Sequence, residues 1–350
     1  MRISTTEARG LFTQYLIDVY KERIAPTNYF RSYFPTVEST SKLISIEVQR
    51  MGEIIAVDVL RGTDGNRNTF SRSTQKLFEP PYFREWFELT DIDLYDRLNG
   101  ADNIDDAVFA ELITNVADKL SAIQEKIERT YELMCAQALH TGIITLNANT
   151  DIDYKRKSAS IVDPGSYWAT ADVDPFAQFE AGGDFLRKTG KMGGVIINAT
   201  LGATAMAHLK KNNVFLARQD TVNMKLDDVT IPQMRETGAS YHGMVSAGSY
   251  LVRLFSYPQF YDHPETGVQT PYMNPKQVIM TPEKPKFKLS FAAVPQLLNP
   301  GSTPAKGAYK FGEFRDEWNG VHKMDVKSAG VPVLTAVDQV YTFKAVSGSL

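Results

Sequence analysis

The chain has 350 residues, with 38 Lys and Arg against 41 Asp and Glu, for a net charge of −3. At about 100–200 residues per domain this is two domains' worth of chain, with no basic excess to advertise a nucleic-acid binder and no acidic excess to imply a solvated tail. Hydrophobic residues at 43% and charged ones at 23% exclude a disordered or collagen-like chain.

The single Cys135 rules out an intramolecular disulfide and argues against a cysteine-based zinc site, so assembly in a reducing compartment is expected. Met1-Arg2-Ile3-Ser4-Thr5-Thr6-Glu7 lacks the basic-then-apolar profile of a secretion signal, and no run of 18 apolar residues suits a membrane span. A soluble intracellular protein without membrane contact is expected.

In chain order, Thr5–Arg23 places Ala8, Leu11, Phe12, Tyr15, Leu16, Val19 and Tyr20 at helical spacing. Between Pro26 and Pro35 come Tyr29, Phe30, Tyr33 and Phe34, aromatic enough that the rings must be buried, either on the chain's own body or on a neighbouring subunit. Ile44, Ile46 and Val48, then Ile55, Val57 and Val59, alternate with polar residues as half-buried strands do. The turn-forming Gly62-Thr63-Asp64-Gly65-Asn66-Arg67-Asn68 follows, and Thr69–Phe78 returns as the second strand before Pro80-Pro81. Strands of ten to fifteen residues would make a ribbon about 35–50 Å long. Such a hairpin is marginal on its own in water and needs a surface to lie on.

The clearest helix signal spans about 103–140. Phe109, Leu112, Ile113, Val116, Leu120, Ile123, Ile127, Tyr131, Met134 and Ala138 form one stripe, and Gly142 is a C-terminal stop. Asp118, Lys119, Glu125, Lys126 and Glu132 are assigned to the opposite, solvated face. Asp163-Pro164-Gly165 marks a turn, and Asp172 or Asp174 caps a helix that begins at Pro175. Val195-Ile196-Ile197 is a short buried strand, after which Asn198 and Thr200 are expected to cap a helix over Leu201–Lys211. Strands are predicted at 251–255, 259–261 and 277–281, with closing strands at 331–334 and 340–346.

No residue set reads as a catalytic centre. The glycines around Gly183 and Gly190-Lys191-Met192 lack phosphate-loop spacing, and Met192 stands where a hydroxyl would bind magnesium. His140, His208, His242, His263 and His322 are scattered, so a metal site is not expected from them. Asp91, Asp93 and Asp96 are close enough to consider for a cation, but their alternation with Ile92 and Leu94 describes an element with one polar face. The expectation is a protein without enzymatic activity, metal or cofactor.

The order of parts, and several phrases along it, resemble the major capsid proteins of tailed bacteriophages, with text most similar to the lambda major-head-protein branch. The phrases are Tyr29-Phe30-Arg31-Ser32-Tyr33-Phe34, Gly62-Thr63-Asp64-Gly65-Asn66-Arg67 and Phe78-Glu79-Pro80-Pro81-Tyr82. They continue with Glu132-Leu133-Met134-Cys135-Ala136-Gln137-Ala138-Leu139-His140-Thr141-Gly142, Tyr241-His242-Gly243, Tyr257-Pro258-Gln259-Phe260-Tyr261-Asp262 and Ser328-Ala329-Gly330-Val331-Pro332-Val333. The resemblance implies an α+β Hong Kong 97-type fold. Its parts would be an N-terminal arm over 1–43, an extended loop over 44–82, a peripheral domain over 83–164 with the spine helix, an axial domain over 165–285 and a return to the peripheral domain over 286–350. The Pro/Gly-rich stretch 284–323 is a candidate insertion.

What the resemblance implies for function is self-assembly into an icosahedral or prolate head. Pentamers and hexamers would enclose double-stranded DNA without tight binding, with portal, scaffolding and decoration proteins as further partners, and assembly would take place in the bacterial cytoplasm. Arg61, Gly62, Asp64, Gly65, Asn66, Arg67, Arg72 and Lys76 of the loop would contact a neighbour's acidic spine face at Glu111, Asp118 and Glu125. Tyr29, Phe30, Tyr33 and Phe34 would lock the arm between subunits. An encapsulin-like compartment shell is the competing reading with the same fold, and a mixed α/β enzyme is the competitor from another class.

Overall fold

A computed structural model describes residues 28–48, 74–90, 106–146, 151–170, 173–222, 237–294, 307–316 and 321–348. The predicted helix over 5–23, the loop tip at 61–72 and the aspartates at 91–96 lie outside the described residues. The dominant element is α1, Asp106–His140, whose 35 residues make a rod about 52 Å long. Its stripe is buried as the spacing predicts, with Val116, Ala117, Leu120, Ile127, Tyr131, Met134, Cys135, Ala138 and Leu139 all at 2% exposure or less.

Two small sheets share the core with this stripe. In one, Phe83–Thr90 pairs with Val321–Ser328, which pairs in turn with Lys310–Asp316, all antiparallel. In the other, Thr36–Glu38 runs parallel to Phe287–Phe291, which lies antiparallel to Gly330–Leu334. The stretch 284–323, read from sequence as a candidate insertion, thus supplies strands to both sheets. The strand at 83–90 is an element that the sequence reading did not place; its exposed Arg84, Trp86 and Glu88 alternate with Phe83 and Phe87, which pack on the core.

A second core is built on a six-stranded mixed sheet. Its order is 161–162, 341–344, 277–282, 196–201, 250–256 and 240–247. Strands 196–201 and 250–256 run parallel, while 277–282 is antiparallel to both of its neighbours. Val278 and Met280 face the helical layer and Ile279 faces the α1 core, so one sheet separates the two cores. The helical layer consists of α2 (Pro175–Lys188), α3 (Ala203–Lys211) and α4 (Asn213–Val222). Asp174 caps α2 through the Phe176 amide at 2.9 Å, with Pro175 in the first turn, as predicted. A Cβ at Gly183 would lie 2.4 Å from the Tyr250 ring, which explains two glycines mid-helix: they let α2 sit against the sheet.

One expectation is corrected here. Asn198 and Thr200 do not cap a helix; both lie buried in strand Ile196–Leu201, and α3 begins after Gly202 without a side-chain cap. The apolar run simply continues through them, and the sheet offers their polar groups partners from another layer. Thr200 Oγ1 lies 2.8 Å from the hydroxyl of Tyr29.

The two cores are joined at the C-terminal end of α1. Gly142 ends the helix with φ +76°, and a Cβ there would strike the Arg156 side chain at 2.5 Å. The aliphatic stem of Arg156 takes the place a side chain would occupy and carries its guanidinium to the helix end. The guanidinium donates to the carbonyls of Leu139 at 2.8 Å and His140 at 3.0 Å, and to those of Ser160 at 3.0 Å and Val340 at 3.2 Å. It also reaches Thr342 Oγ1 at 3.2 Å, within the closing strand of the six-stranded sheet. Burial lowers its proton affinity and Asp338 opposes that, so with five acceptors it stays charged. Arg156→Leu would strand these acceptors and is expected to cost about 3 kcal/mol. Urea unfolding should show a lower midpoint at unchanged slope, with the exposed Lys210→Ala as a control within about 0.5 kcal/mol.

Candidate assembly elements

The arm meets the body at residues 28–34. A single 3-10 turn, Arg31–Tyr33, turns the chain so that Tyr29, Phe30 and Phe34 point inward, at 0%, 0% and 2% exposure. Tyr29 packs on Tyr257 with ring centroids 5.3 Å apart and edge-on to Tyr33 at 5.4 Å; Phe30 is edge-on to Tyr257 at 5.2 Å, and Phe34 stacks on Phe287 at 5.2 Å. These are the favoured geometries of ring pairs, each adding about 0.5–1.5 kcal/mol to simple burial. Of the two burial options open in the sequence, the structure shows the intramolecular one. While this segment is docked its buried rings are not available to a neighbour, in contrast to the inter-subunit role expected for Tyr29, Phe30, Tyr33 and Phe34.

Polar groups on α1 hold the backbone of the same segment. Glu132 Oε1 accepts the Phe30 N–H and Oε2 the Arg31 N–H, both at 2.9 Å. One turn earlier Glu128 pairs with the Arg31 guanidinium and accepts the Tyr309 hydroxyl. Both acids are buried, at 1% and 0% exposure, which corrects the placement of Glu132 on a solvated face. At 100° per residue Glu132 stands beside Tyr131 and Cys135, flanking the apolar stripe, where the docked arm covers it. Burial pushes its carboxyl up to about 7, against the two amide donors and Arg31, which act to lower it.

The ribbon begins after a short link. Ile44–Val48 and Thr74–Phe78 pair antiparallel, Ile44 with Phe78, Ile46 with Lys76 and Val48 with Thr74. Among the described residues these strands pair only with each other. Ile44 is buried at the foot, where Lys42 and Glu79 form an exposed ion pair at 2.8 Å, a contact of little energetic weight. Of the predicted loop residues, Lys76 is placed, opposite Ile46; Arg61, Gly62, Asp64, Gly65, Asn66, Arg67 and Arg72 lie outside the described residues.

On α1, Asp118 is exposed and Glu125 pairs with Arg129 at 3.3 Å in an i,i+4 arrangement. The Glu111 backbone is helical, and its side chain lies outside the described residues. No group of three or more His, Cys, Asp or Glu side chains suited to a metal ion occurs among the described residues. Cys135 is free, buried, and raised in pKa by burial, so its thiol is held neutral.

Comparison with known proteins places this architecture. The family model for phage major capsid protein E matches residues 13–345. No curated protein matches the sequence. Among solved structures, one described as a capsid protein of a prophage from E. coli CFT073 is 15% identical, with a TM-score of 0.64 over 99% of this chain and 100% of that one. A phage-related protein from Bordetella bronchiseptica RB50 is 11% identical, with a TM-score of 0.51 over 95% of this chain and 96% of that one. At these identities the structures speak for the fold, and the family match over nearly the whole chain speaks for the role. The chain belongs to the phage major capsid protein E family: it is a structural, non-enzymatic subunit with the α+β Hong Kong 97-type fold, a component of a virion shell made of many copies of itself.

Proposed function

We propose that the shell is the icosahedral or prolate head of a tailed double-stranded DNA phage, built from pentamers and hexamers whose subunits interlock through the 44–82 ribbon. The observation that supports this most is the ribbon foot. Among the described residues, two strands leave the body as a pair that no other strand joins, and a hairpin so built gains its stability from a surface elsewhere. A neighbour's α1 domain supplies such a surface, with Arg61, Arg67, Arg72 and Lys76 facing acids of the Glu111, Asp118 and Glu125 set, and Gly62, Asp64, Gly65 and Asn66 forming the tip. Most of the binding strength then comes from backbone pairing and apolar burial, since exposed ion pairs contribute little each.

The subunit would divide into a peripheral part, residues 83–164 and 286–350 around α1, and an axial part, residues 165–285, on the six-stranded sheet; two separate buried cores favour two such parts, while strands 161–162 and 341–344 cross over to complete the axial sheet. The arm over 1–43 and the loop over 44–82 are the excursions. Portal, scaffolding and decoration proteins would act on the assembled shell, and assembly would occur in the host cytoplasm. A net charge of −3 suits a wall that encloses DNA and lets it leave, because tight binding needs many phosphate-neutralising cations. An encapsulin-like compartment would use the same fold, and the match to a phage capsid family favours the phage head.

Two measurements test the reading. Replacing Gly62–Asn68 with a short turn is expected to leave a folded, soluble subunit that forms no closed particles under electron microscopy; normal shells from that variant would refute the ribbon's role. The purified subunit is expected to bind duplex DNA more weakly than micromolar at physiological salt, and sub-micromolar affinity in a titration would contradict the proposed wall chemistry.

A further inference from the structure

The docked arm leaves a charge imbalance in a dry place. Glu128 and Glu132 stand one turn apart on α1 and are both buried, and Arg31, at 16% side-chain exposure, is paired with Glu128. Glu132 receives two backbone N–H groups and the Tyr257 hydroxyl, and among the described residues no cation pairs with it. The remaining described titratable groups facing the pair come from every element packed there. They are Tyr29 and Tyr33 of the arm, Arg129, Tyr131 and Cys135 of α1, Tyr257, Tyr261 and Tyr272 beyond strand 250–256, and Tyr309 ahead of strand 310–316. Burial raises the hydroxyls of Tyr29, Tyr131, Tyr257 and Tyr272 and the Cys135 thiol, so they are neutral at physiological pH, and Arg129 is spent on Glu125. Among the described residues, two carboxyls then share one cation. A buried carboxylate without a counter-charge is strongly disfavoured, so the docked state favours a proton on the acid that lacks one.

We propose that residues 28–34 form a proton-linked latch on α1: docking the arm takes up a proton at Glu132, releasing it gives the proton back, and acidity therefore holds the arm down. The sign follows from linkage. Docked, the carboxyl titrates at about 7; released into water it returns toward its ordinary 4.5. The proton's contribution to docking is complete below about 4.5 and disappears as pH rises through about 7. The latch lies directly upstream of strand Thr36–Glu38 and the ribbon foot at Ile44, so it sets how firmly the chain entering the ribbon is tied to its own subunit. The inference concerns the single subunit and does not depend on the shell geometry proposed above.

Hydrogen exchange on the full-length subunit reads the latch at its own amides. After correction for intrinsic rates, exchange in a peptide covering 28–34 is expected to quicken ten-fold or more between pH 5 and pH 8, within the range that a shift of this size permits. A peptide covering α2 should keep its protection over the same range. Glu132→Gln cannot ionise and should flatten the dependence. Tyr257→Phe removes a hydroxyl that favours the ionised carboxyl, so it should move the midpoint to higher pH, and it serves as the decisive variant if Glu132→Gln fails to fold. Equal protection at both pH values overturns the proposal. So do an equal loss of protection in α2, a pH dependence that survives Glu132→Gln, or an unmoved midpoint in Tyr257→Phe.

Discussion

The spine helix ends inside the molecule, and the carbonyls of its last turn must find donors there. A helix leaves its final carbonyls unpaired and concentrates partial negative charge on them. Arg156 answers both needs at Leu139 and His140, and its remaining nitrogens reach Ser160, Val340 and Thr342. A flat, permanently charged group with donors spread in a fork serves several acceptors at once in a way an ammonium cannot. The consequence is mechanical: the long helix of one core is pinned to the closing strand of the other. The position of the six-stranded sheet relative to the rod depends on this junction.

At the middle of the same helix a different solution ties down the arm. Arg31, Glu128, Glu132 and the amides of residues 30 and 31 form a polar seam inside an aromatic shell. Aromatic packing supplies the burial, and the carboxylates fix the path of the backbone. The segment is thus docked on its own chain. The body that results has two cores of its own, and among the described residues the ribbon foot pairs with neither of the sheets around them.

Disulfides have no part in joining copies of this chain, since the single Cys135 is buried within α1 with its thiol held neutral.

Much of this was readable in the residues. The spine helix, its Gly142 stop, the Asp174-Pro175 start of α2 and the alternating strands of the ribbon foot all rest on local rules, where neighbours three, four or two residues apart decide the outcome. The sequence by itself determined these elements and, through the order of parts and the phrases within them, the family. Other features depend on residues far apart in the chain. Glu132 looks solvated until residues 30 and 31 arrive over it, and Asn198 and Thr200 look like helix caps until Tyr29 offers Thr200 a partner across the sheet. Arg156 is one basic residue among 38 until two helix carbonyls and a strand converge on it. Only the tertiary structure decided these, because whether a polar side chain is buried depends on what covers it, and no local pattern encodes that.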